Sequence, residues 1–123
     1  MNKLSMIALL TLTIQSSALA YNMRDVAGKY QITSQDIPVL NVVTLNLSGS
    51  LKFVEKTFEG NTTCSGKWWM VNDLITASIR CPDGGTFSER INIAGVKNLK
   101  SFKAVVSSSL YNLDLEMNFV RMK

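Results

Sequence analysis

The chain has 123 residues, of which 46% are hydrophobic, and thirteen Lys and Arg against nine Asp and Glu give a net charge of +4. That is enough chain for one domain with a packed core; it holds too few charges for disorder and no dense basic stripe for nucleic acid. Histidine is absent, which removes the commonest general base, the usual zinc ligand and any His-dependent nucleophile pair, and two cysteines alone build no metal framework. The expectation is a protein with no catalytic activity, no cofactor and no metal.

Met1-Asn2-Lys3 supplies a single positive charge, residues 4–14 are an almost unbroken apolar run, and Ala18-Leu19-Ala20 is a small-x-small site. The run is about eleven residues, too short for a bilayer that needs roughly 20. The order of these regions predicts a signal peptide over 1–20, cleaved after Ala20. Its short, singly charged form is of the bacterial kind. The mature chain, 21–123, is expected to be exported to the periplasm or secreted, with no membrane span.

From there a period of two recurs along the chain, and a period of 3.6 nowhere does. Candidate strands lie at 28–33, 41–47, 51–56, 64–71, 74–81, 86–93, 102–110 and 113–122. Val43, Leu45 and Leu47 share one face of the second, and Leu51 and Phe53 one face of the third. Turn chemistry separates the strands at Ser48-Gly49-Ser50, Glu59-Gly60-Asn61, Asn72-Asp73 and Pro82-Asp83-Gly84-Gly85. An up-and-down antiparallel meander of about eight strands removes its free edges by closing, so 21–123 is expected to form one small β-barrel domain of the all-β class.

The Asn72-Asp73 hairpin fixes a register. With those residues as the loop, Val71 faces Leu74, Met70 faces Ile75, Trp68 faces Ala77 and, further along, Cys64 faces Cys81. Alternation makes the cysteines a non-hydrogen-bonded pair, where side chains approach most closely. It also places them on the apolar face with Gly66, Trp68, Met70, Ile75, Ala77 and Ile79. A slip of one residue would spoil both. An exported chain with this register is expected to join Cys64 to Cys81 in a structural disulfide rather than a redox pair, since neither CxxC spacing nor an activating charge is present. The last hairpin, read with Tyr111-Asn112 as its loop, pairs Leu110 with Leu113, Val106 with Met117 and Ala104 with Phe119.

The pattern breaks in two places. Glu55, Glu89 and Arg121 fall on inward rows; the expectation is that the carboxylates lie near a barrel mouth, wet or paired with Arg121 or a lysine. Apolar residues also fall outward, at Val42, Val54, Phe58, Trp69, Val71, Leu74 and Val105. Trp69, Val71 and Leu74 cluster at one hairpin tip, a candidate protein-contact surface unless the loop 34–40 folds over it.

Gly28-Lys29-Tyr30 on the first strand and Arg121 at the end of the last resemble the calycin arrangement. In that superfamily, which includes lipocalins and avidins, a Gly-x-Trp on the first strand packs against a basic residue near the chain's end; here Tyr30 stands in place of the tryptophan. The resemblance implies barrel closure through Gly28, Tyr30 and Arg121, with Arg121 stacked on Tyr30. The chain is similar, too, to exported eight-stranded barrels that inhibit bacterial metalloproteases through a free N-terminal segment. Tyr21, Asn22, Met23 and Arg24 occupy the equivalent place, although the cysteine spacing differs. Two functions follow as expectations. One is a non-enzymatic binding module, inhibitor-like, contacting a protein partner through Trp69, Val71 and Leu74 or through Tyr21, Asn22, Met23 and Arg24. The other is a carrier of a small apolar ligand. The large inward residues favour a filled barrel and hence the first.

Overall fold

The computed structural model describes residues 20–34, 40–110 and 112–123; the expected signal peptide, apart from Ala20, lies outside them. A single helical turn, α1 (Met23–Val26), precedes eight strands: β1 (Gly28–Thr33), β2 (Leu40–Leu45), β3 (Ser50–Thr57), β4 (Gly60–Val71), β5 (Leu74–Arg80), β6 (Thr86–Asn92), β7 (Ser101–Ser108) and β8 (Leu113–Met122). Each strand pairs antiparallel with the next, and β8 returns to β1 to close the barrel. Each strand thereby has a neighbour on both sides, the physical reason for a meander to close. Among the described residues no helix is long and apolar enough to cross a membrane.

The hairpin register follows from alternation and turn chemistry. Val71 pairs with Leu74 and Trp68 with Ala77, with Asn72 in the left-handed region at φ 56°, where asparagine is tolerated. Cys64 and Cys81 form a disulfide with Cα atoms 4.3 Å apart, the short separation of a non-hydrogen-bonded pair. Gly66 lies on the same inward face, and a Cβ there would stand 1.9 Å from the Ser78 carbonyl oxygen. Only glycine allows β4 and β5 to approach this closely.

Three expectations need correction. In the β7–β8 hairpin Ser108, not Leu110, pairs with Leu113, so Val106 faces Leu115 and Ala104 faces Met117. The loop is longer by two residues, both on its β7 side: the Asn112 N–H donates to the Ser108 carbonyl (3.0 Å), and Asn112 takes the left-handed conformation at φ 54°. The slip is two residues, which preserves the facing of every side chain while changing every partner. Leu47 belongs to a turn, not to an inward row. Gly49 donates to the Asn46 carbonyl (2.9 Å), β2 ends at Leu45, and Leu47 is 56% exposed. Val42 points away from the interior yet is buried, standing outside the interior cluster that contains Val43.

The alternation of connections divides the barrel into two ends. At one end are α1 and the β2–β3, β4–β5 and β6–β7 connections; at the other are the β1–β2, β3–β4, β5–β6 and β7–β8 connections. The largest fully buried side chains, Trp68, Tyr30, Ile79, Ile93 and Val26, belong to one continuous core cluster. It packs Trp68, Tyr30, Ile93 and Val26 toward the first end and continues through Ile32, Phe53, Cys64 and Phe119 toward the second.

Candidate functional site

The first end is sealed by side chains that satisfy backbone groups. Asn22 caps α1, its Oδ1 accepting from the Asp25 N–H while the Asp25 carboxylate accepts from the Asn22 N–H, each at 3.0 Å. Such a reciprocal box stabilises a turn too short to persist alone. The carbonyls at the end of this turn find side-chain donors: Tyr30 Oη donates to the Val26 carbonyl (2.6 Å), and the Arg121 guanidinium donates to the carbonyls of Asp25 (3.1 Å) and Ala27. Arg121 also lies over the Tyr30 ring, 5.5 Å from its centroid, directly opposite it in the β1–β8 ladder. Burial pushes the Tyr30 phenol up, against a smaller opposing pull from Arg121. Gly28 leaves room for the arrangement, since a Cβ there would meet Arg121 Nε at 2.9 Å.

Two further expected site residues are drawn into this seal. The Tyr21 N–H donates to Asp73 Oδ1 (2.9 Å) at the β4–β5 tip, and its hydroxyl donates to the Val96 carbonyl. Tyr21 and Met23 pack against the core cluster, leaving Asn22 and Arg24 exposed. The segment expected to reach into a protease is held as a plug. At the same tip Trp69 is 45% exposed and Val71 is exposed as well, while Leu74 is half-buried. Trp68 points inward, its indole N–H donating to the Asn46 carbonyl (2.7 Å). Residues 35–39 of the loop considered as a cover for Trp69 lie outside the described residues.

The second end is different. It holds a cavity of about 310 Å³ whose walls include Phe53, Phe87, Ile91, Val106, Met117, Phe119 and the Cys64–Cys81 bridge. Phe53 and Phe87 meet edge to face, with ring centroids 6.2 Å apart. The filled barrel expected from the sequence is therefore filled at one end only. Near the sealed end the remaining internal space is about 20 Å³, barely the volume of one water.

Polar groups converge on the cavity. On one wall the cross-strand partners Asn41, Glu55 and Thr62 form a row over β2, β3 and β4, and all three line the space. The Asn41 Oδ1 is buried without a hydrogen-bond partner among the described residues. Three strands round the barrel from Glu55, Glu89 on β6 faces Ser108 on β7. Burial raises the Glu89 pKa, and the hydrogen bond from the Ser108 hydroxyl opposes that rise less strongly. The same hydroxyl accepts from the Leu110 N–H (3.3 Å), so Ser108 positions the carboxyl and the turn together. Both carboxylates line the cavity at this mouth; of the expected alternatives, the pairing with Arg121 is not the one found, since that guanidinium is engaged at the sealed end.

The sequence pointed to Glu55 and Glu89 as inward but not to Asn41, whose strand began one residue later in the sequence reading. The signal was present: Asn41 shares parity with Val43 and Leu45. No family model, curated protein or solved structure matches the chain.

Proposed function

We propose that the protein is an exported, non-catalytic binding barrel that takes one small, largely apolar molecule into the open end. The observation that carries this reading is the cavity of about 310 Å³ walled by aromatic and aliphatic side chains with a few converging polar groups. Its volume is at the lower end of ligand pockets, which run from about 300 to 1,000 Å³, and its composition is the usual one for such sites. The calycin resemblance of Gly28, Tyr30 and Arg121 supports the same reading, because lipocalins and avidins hold ligands in the barrel interior. The disulfide supports export, being the kind of bond that persists in an oxidising compartment.

The test is saturable binding of the neutral fluorescent probe N-phenyl-1-naphthylamine. One site per chain is expected, with probe emission shifted to the blue. Met117→Trp, which fills the cavity from a half-buried wall position, should abolish it. Binding that survives this substitution, or none in the parent protein, refutes the reading.

A second reading, contact with a protein partner, rests on the adjacent exposure of Trp69 and Val71. Exposed tryptophan is enriched among interface hot spots, where truncation costs about 2 kcal/mol or more. The N-terminal inhibitor mode has less support, because Tyr21 and Met23 are packed into the plug.

A further inference from the structure

We infer that the cavity selects a ligand with a cationic, hydrogen-bond-donating head, an alkylammonium-type group on an apolar body; this rests on the ligand-binding reading above and assigns the chemistry of that site. Three carboxyl groups, on Glu55, Asp83 and Glu89, line the space, and no lysine or arginine is among the described residues that do. The bias runs against the whole chain, whose net charge is +4. A long-range field from the protein as a whole would favour anions; a preference for cations would have to come from these walls.

An uncharged polar group beside Glu55 adds a second indication. Asn41 stands opposite Glu55 in the β2–β3 ladder, and its buried Oδ1 has no donor. A buried acceptor left unpaired keeps the cost of its desolvation. A donating head satisfies this oxygen once the amide turns toward the space, whereas a carboxylate or phosphate head, which only accepts, offers it nothing and is repelled by Glu55. The hydroxyls of Thr62 and Thr86, also on the walls, accept or donate and so oppose neither class. An ammonium brings several donors and a charge opposite to Glu55 and Glu89, forming the stronger charge-assisted hydrogen bonds. The apolar walls formed by Phe53, Phe87 and Phe119 take the body of the molecule.

The experiment is displacement of N-phenyl-1-naphthylamine at neutral pH by three ligands of equal chain length: octylammonium, octanol and octanoate. Octylammonium is expected to displace the probe at a concentration at least tenfold below that of octanoate, with octanol between them. In the double variant Glu55→Gln, Glu89→Gln, the advantage of octylammonium over octanol, each referred to the probe affinity measured in that same variant, should fall to about twofold or less. Octanoate equal to or better than octylammonium in the parent protein overturns the inference without relying on any variant. An undiminished ammonium preference in the double variant overturns it as well. If the probe itself does not bind, the ligand-binding reading fails first, and this assignment falls with it.

Discussion

The two ends of the barrel are built from the same eight strands, yet they use the shared interior in opposite ways. Along β3 the inward row runs Leu51, Phe53, Glu55; along β6 it runs Ile91, Glu89, Phe87. Leu51 and Ile91 are buried, whereas the two glutamates are half-buried on the cavity wall. At the sealed end the backbone carbonyls of Asp25, Val26 and Ala27 each have a side-chain donor. At the open end Asn41 Oδ1 has none. A buried acceptor without a donor keeps the full cost of its desolvation, so such an orphan marks the open end as the less satisfied half of the interior. Strand geometry sets the size of the interior, and the height at which large side chains sit decides which part is core and which is site.

The sharpest way to break this comparison is to truncate one large aromatic from each half. Trp68 is 2% exposed and makes a hydrogen bond through its indole. Trp68→Ala should lower unfolding free energy by about 3–5 kcal/mol, the usual cost for a buried aromatic. Phe87 is half-buried beside space that already exists. Phe87→Ala should cost about 1 kcal/mol, since only part of the benefit of burial is lost. Denaturant midpoints of the two variants check this. Equal losses would mean that the open half is as tightly packed as the sealed half.

The disulfide is the strong fixture of the open half. It spans 17 residues, and in the chain-entropy model closure of a loop of that length contributes about 3 kcal/mol. The variant with both Cys64→Ala and Cys81→Ala is expected to fold and to lose about that amount in chemical denaturation. Native protein should resist thiol labelling after mild reductant, since Cys64 is buried. Rapid labelling of both sulfurs would show that the wall of the cavity opens readily.

Glu89 tests the open half through pH. Burial raises its pKa in the folded protein, so the unfolded chain releases this proton first as pH rises. The stability associated with the neutral carboxyl is complete below the ordinary glutamate range and is lost as pH climbs through the raised value. Glu89→Gln, neutral throughout, should therefore be more stable than the parent at neutral pH, and the difference should close in acid below the ordinary range. Thermal unfolding across that window measures it. A variant less stable than the parent at neutral pH would mean that the ionised carboxylate is compensated in the fold.

Most of the architecture was legible because alternation and turn residues act locally. Asn72-Asp73 and the parity of Cys64 and Cys81 were enough to define the β4–β5 register. The β7–β8 hairpin kept the correct faces and the wrong partners, because parity cannot distinguish a slip of two. The α1 turn left no periodic trace in four residues; its signal was the Asn22-x-x-Asp25 box. Leu47 continued the alternation of β2, but the hydrogen bond from Gly49 to Asn46 had already turned the chain. The cavity was hidden for a different reason. A list of inward residues records their sizes, while the free volume depends on how they stack along the barrel axis, which pairing and shear determine only together.

The smallest expected effect concerns Trp69, one residue from the largest. Its side chain must point away from Trp68, since successive residues of a strand face opposite ways. Across the β4–β5 ladder it meets Thr76, not another aromatic, and it retains 45% exposure. Removing it deletes no core contact and creates no cavity, so Trp69→Ala should change unfolding free energy by less than about 0.5 kcal/mol, as surface substitutions usually do. Binding of the neutral probe should be unchanged, because Trp69 is not among the residues that line the cavity. A loss of more than about 1 kcal/mol, beyond that usual range for a surface site, would place Trp69 in a packed environment and remove it as a contact surface. If stability and probe binding both stay intact, any loss of partner capture in this variant is attributable to the surface of the sealed end.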